Sequence, residues 1–104
     1  MTVTSKALAR TAAATSSATL YTAPNTTSVA VVTNIVLANA STSSATATVA
    51  MDGIVLVPEV TIAANALVGF DLKQVLPANA TPKVISGFAS TTSVTIHISG
   101  VEIN

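Results

Sequence analysis

The chain contains no cysteine, so no disulfide can staple it and no thiol can act as nucleophile or metal ligand. Aromatic residues are almost missing: Tyr21, Phe70 and Phe88 are the whole set. Charge is equally scarce. The basic residues are Lys6, Arg10, Lys73 and Lys83, the acidic ones Asp52, Glu59, Asp71 and Glu102, and the two groups cancel. Nucleic-acid binding needs a basic stripe to displace counterions and, for single strands, aromatic platforms for the bases. Neither can be assembled from this inventory, and no nucleic-acid partner is expected. The glycines, Gly53, Gly69, Gly87 and Gly100, stand too far apart to cradle a phosphate. The most apolar run, 29–40, is too short to cross a membrane and contains Thr33 and Asn34. Lys6 and Arg10 precede an alanine-rich stretch, as in a leader. Thr15, Ser16, Ser17 and Thr19 interrupt the apolar region, so no cleaved leader is expected.

Catalytic chemistry is missing too. The single histidine, His97, alternates with Thr95 and Ser99 on the polar side of a strand pattern. That places it on a surface rather than in a catalytic group. The four carboxylates are isolated, so no metal cluster and no cofactor is expected. Asp52 is explained by a turn, and Asp71 can pair with Lys73 across Leu72. Sequons begin at Asn25, Asn39 and Asn79, as chance provides in a chain this rich in Ser and Thr. The chain is not expected to be an enzyme.

What is present is alanine, threonine and valine. Thr and Val favour pleated, half-buried surfaces. An alanine-rich core is a weak source of stability, since a buried methyl contributes about 0.8 kcal/mol against about 1.5–3 for a Leu, Ile or Phe. A 104-residue domain of this kind gains from burial against other subunits.

The punctuation is that of an all-β protein, an antiparallel β-sandwich or jelly roll with an extended N-terminal arm. Strand-like runs are 18–22, 28–38, 45–51, 54–57, 60–62, 66–72, 84–89 and 94–103. Asp52-Gly53 is the strongest turn signal, because both residues tolerate the positive φ angles of a type I′ hairpin turn. The segment from Pro77 to Pro82 reads as another turn. Val31, Ile35, Leu37, Val49, Ile62, Phe70, Leu76, Phe88, Ile96 and Ile98 are the expected core. In the last strand the apolar parity flips after Gly100, which predicts a bulge at Ser99-Gly100. Residues 1–17 have low complexity and read as an arm, followed by a sandwich domain over 18–104. The arm's Lys6, Leu8 and Arg10 are the residues expected to meet a partner, with the arm adding a strand to a neighbour's sheet.

Several stretches taken together resemble a family of small β-sandwich virion proteins of tailed bacteriophages and prophages. They are Thr19-Leu20-Tyr21-Thr22-Ala23-Pro24, Met51-Asp52-Gly53, Leu56-Val57-Pro58-Glu59-Val60-Thr61-Ile62, Leu72-Lys73-Gln74-Val75-Leu76 and His97-Ile98-Ser99-Gly100-Val101-Glu102-Ile103. The family often carries Gly-Asp-Thr where this chain has Asn79-Ala80-Thr81. The resemblance implies a structural role on a virion assembled in the host cytoplasm, most simply capsid decoration (cement). The implied partners are the major capsid protein and further copies of the chain, a trimer being favoured. A minor tail or fibre-associated protein is the alternative. A host-surface or carbohydrate-binding module is a further one.

Overall fold

The computed structural model describes residues 2–24, 26–81 and 83–104. Asn25, which opens one sequon, and Pro82, which ends the expected turn, lie outside the described residues, as does Met1. Eight strands and no helix are found among the described residues: β1 (Val3–Ala12), β2 (Ala18–Thr22), β3 (Val29–Asn39), β4 (Ala45–Met51), β5 (Ile54–Ile62), β6 (Ala66–Leu76), β7 (Val84–Ala89) and β8 (Val94–Ile103). They form two four-stranded antiparallel sheets, β1-β8-β3-β6 and β2-β7-β4-β5, which we call sheets A and B. The protein is an antiparallel β-sandwich, as the strand punctuation predicts. The sequential pairings are β1 with β8, β2 with β7, β3 with β6 and β4 with β5.

Local chemistry explains the elements. Asp52 and Gly53 have φ of 55° and 77°, as a type I′ turn requires, and the β4–β5 hairpin forms around them. Lys83 reaches this turn and pairs with Asp52 at 3.0 Å. The runs 54–57 and 60–62 are one strand, not two. Pro58 and Glu59 form a bulge within β5, where the Glu59 N–H donates to Thr48 Oγ1 at 3.2 Å. Proline is tolerated there because β5 is an edge strand. β6 likewise runs on past Leu72 to Leu76.

The core lies between the sheets, built on Val32, Ile35, Leu37, Val49, Ile62, Leu76, Ile85, Val94, Ile96 and Ile98. Three expected core residues are corrected. Val31 points out of sheet A, because Ala30 and Val32 take the inward phase ahead of a bulge at Thr33. Phe70 is half-buried at the open flank between edge strands β5 and β6. Phe88 is 37% exposed on the outer face of sheet B. Its neighbour Gly87 takes the inward place, because a side chain there would meet the Thr48 carbonyl oxygen at 2.8 Å and Leu20 Cδ1 at 3.0 Å. Phe88→Ala is therefore expected to cost less than about 1 kcal/mol in thermal or urea unfolding, well short of the ~3–5 for a buried phenylalanine.

The bulge expected in the last strand lies in its neighbours. β8 alternates without interruption, with Val94, Ile96, Ile98, Gly100 and Glu102 all inward. Its partners each carry one extra residue at the level of Ser99: Leu8 in β1 and Thr33 in β3. Glu102 keeps the inward phase because it finds hydrogen-bond partners there.

The free arm is also corrected. Val3–Ala12 is β1, an edge strand of the protein's own sheet A, so the sandwich does not begin at residue 18. Its end is locked by a reciprocal pair, Thr2 N–H to the Asn104 carbonyl at 3.0 Å and Asn104 N–H to the Thr2 carbonyl at 2.9 Å. The link to β2 is tied to both sheets. The Ala13 N–H donates to the Val94 carbonyl at 2.8 Å, and the Ala14 carbonyl accepts from the Ala89 N–H at 2.9 Å.

Candidate interaction surface

The three arm residues expected to meet a partner divide. Leu8 is the extra residue of the β1 bulge, and its side chain is buried in the core. Lys6 Nζ donates to Glu102 Oε1 at 3.3 Å. Both hold β1 in its own sheet. Arg10 alone stays on the outer face, in register with His97. Sequence reasoning missed Glu102. A carboxylate at an inward strand position is the signal that it has partners, but it does not say which.

Those partners close a small buried network. The Tyr21 hydroxyl donates to Glu102 Oε2, while Lys6 holds Oε1. Glu102 is only 7% exposed. The Tyr21 hydrogen bond does most to hold its carboxyl below the ordinary value; Lys6 adds to this, and burial works against it. Tyr21 is pushed well above its ordinary 10.0, chiefly by burial, then by the bond to Glu102 and by that group's charge. The network joins β1, β2 and β8, which lie in different sheets.

The signs fix the pH dependence. Glu102 titrates lower folded than unfolded, so its stabilisation is complete above the ordinary carboxylate range and fades as pH falls through the folded value. Tyr21 titrates higher folded than unfolded, so its contribution holds below its ordinary 10.0 and is lost at higher pH. The contribution of this network should therefore be flat between these limits and fall on both sides. Tyr21→Phe is expected to cost about 1.5–3 kcal/mol at neutral pH, as for a hydrogen bond to a charged group. It should also flatten the alkaline fall. Urea unfolding of both proteins from acid to alkaline pH checks this.

No group of three or more histidine, aspartate or glutamate side chains among the described residues is placed to hold a metal ion. His97 Nε2 lies 3.2 Å from Thr95 Oγ1. Asp71 meets Asn34 rather than Lys73, accepting from its Nδ2 at 3.1 Å. The Asn39 sequon is closed to modification: the side chain is buried and donates to the carbonyls of Ser43 and Ile62 at 2.9 and 3.1 Å.

The noteworthy surface is the outer face of sheet A. Register places Val3, Ile103 and Val29 side by side in one row. Ser5, Val101, Val31 and Val75 form the next row, across all four strands. Val3 is 57% and Val75 56% exposed. At the other end of the face Leu67 is 65% exposed. A second apolar feature is a cleft of about 270 Å³ between β5 and β6, bordered by Leu56, Pro58, Val60, Phe70 and Leu72. Neither a family model nor a curated protein matches this chain.

Proposed function

We propose that this protein is a structural component of a tailed-bacteriophage virion, a capsid decoration protein that works assembled with other copies on the shell. The observation that carries the reading is the pair of aliphatic rows on the outer face of sheet A, at the solvent side of a sandwich whose interior is already filled. Such rows on a nearly uncharged surface suit a protein that works covered by others. The resemblance to virion proteins over 18–103 points the same way. We read the one-to-eight, two-to-seven, three-to-six, four-to-five pairing as a jelly roll, an architecture that viral capsid domains share with lectins. The fold is common to both uses, and the surface supports the virion reading. Sugar-binding faces stack several exposed aromatics, and here the outer face of sheet B offers Phe88 by itself.

The test is to add the purified protein to shells of the cognate phage that lack it. Saturable co-sedimentation, with a raised temperature of shell disruption, is the expected result. No binding to shells, together with binding to tails, would move the protein to the tail.

A further inference from the structure

We propose that the outer face of sheet A docks against the same face of a second copy, about a two-fold axis parallel to the strands. The inference deepens the assembly reading and rests on it; it adds the occupant of the face and the register.

Rotation about such an axis lays β1-β8-β3-β6 across β6-β3-β8-β1 of the other copy and keeps each row facing itself. The rows are then self-complementary. Ser5-Val101-Val31-Val75 meets its own reverse, so Val31 covers Val101 and Val75 sits over the small Ser5. At the far end the row is Ala12-Thr95-Ala38-Leu67, so the exposed Leu67 falls over Ala12, large side chain on small.

Charge selects the same arrangement. The row Arg10-His97-Val36-Gly69 brings Arg10 over Gly69 of the other copy, where no side chain stands in its way. Asp71 is the next outward residue on that strand, held on the face by Asn34 at 3.1 Å. An arginine lying over Gly69 reaches it, and the symmetry makes the pair twice. An axis perpendicular to the strands would set the aliphatic rows against the Thr95 and Arg10 end instead, with no acidic partner for Arg10. The area is sufficient: four strands of ten or eleven residues present a face of roughly 600 Å². Two copies bury roughly 1,200 Å², the lower end of specific interfaces. The proposed two-fold differs from the trimer that the resemblance implies.

Sedimentation equilibrium of the full chain tests it. A concentration-dependent dimer is expected. Val101→Lys should weaken it at least ~100-fold, and Arg10→Glu at least ~10-fold, because like charges then oppose across the face. Arg10→Asp combined with Asp71→Arg should recover most of the loss. Phe88→Ser, on the opposite face, should change nothing. Circular dichroism confirms that each variant keeps its strands. Register is read separately by combining Ala12→Cys with Leu67→Cys. Within one chain these sites are three strand steps apart, ~14 Å, while packed sheets lie ~10 Å apart. A bis-maleimide of ~10 Å reach should link two copies and not one chain. A monomer at millimolar concentration, a trimer, or a dimer that survives Val101→Lys and is lost in Phe88→Ser would each overturn the proposal. A monomer that still coats shells would overturn this face and leave decoration standing. A dimer that ignores shells would uphold the face and overturn decoration.

Discussion

Deletion of residues 2–12 should abolish cooperative folding. These residues look dispensable in sequence, being a Thr/Ala/Ser stretch with Leu8 as its largest apolar group over most of its length. In the structure they are β1, and their removal acts at three levels. The backbone edge of β8, paired with β1 over Val3–Ala12, is left open. Leu8 and Ala9 leave the core, and burying a leucine contributes about 1.5–3 kcal/mol by itself. Lys6 leaves Glu102, whose buried carboxylate then relies on Tyr21. Removing one partner of a buried charge is strongly destabilising. A small domain has a total stability of about 5–15 kcal/mol, and an alanine-rich one belongs at the low end. Circular dichroism and thermal melting of the truncated chain check the expectation. A sharp transition near that of the intact protein would show that β1 is an accessory.

Gly100→Ala should be the most damaging single-methyl change in the chain. Gly100 occupies an inward position of β8, between the bulges of β1 and β3. A Cβ there would collide with the Val31 carbonyl oxygen, with the Val31 carbonyl carbon 3.0 Å away and Leu8 Cδ1 at 3.1 Å. Leu8 can shift, but the carbonyl belongs to a strand held on both sides. Overpacking of a core costs about 1–3 kcal/mol, and a clash with backbone belongs at the top of that range. Gly69→Ala is the control. Its nearest contact would be Val36 Cγ2 at 3.8 Å, an ordinary separation, so its stability should match that of the unsubstituted protein within about 0.5 kcal/mol. Equal urea midpoints for the two variants would contradict the tight crossing at Gly100.

The sequence made some parts of this fold legible because their causes are local. Asp52-Gly53 specifies its turn with its own backbone preferences, and the alternation in 45–51 names the inward face of β4. What could not be read has causes far away in the chain. The parity change after Gly100 looks like a bulge in β8 because Glu102 is an improbable inward residue. Tyr21, 81 positions earlier, and Lys6, 96 earlier, make it acceptable. Phe88 looks like core by hydrophobicity, but phase decides, and the crowding at Gly87 sets the phase. β1 was hidden because an edge strand exposes most of its side chains and shows little alternation. Of the expected contact residues, Arg10 kept an outward place, whereas the aliphatic rows of sheet A emerge only once four separate strands are set in register.

The proposed role is that of a repeated structural unit on a virion shell. Its most direct test is the copy number per particle, measured by quantitative mass spectrometry of purified virions against the major capsid protein. Hundreds of copies in a fixed ratio to the shell subunit are expected. Absence from the particle, or a handful of copies independent of shell size, would contradict it.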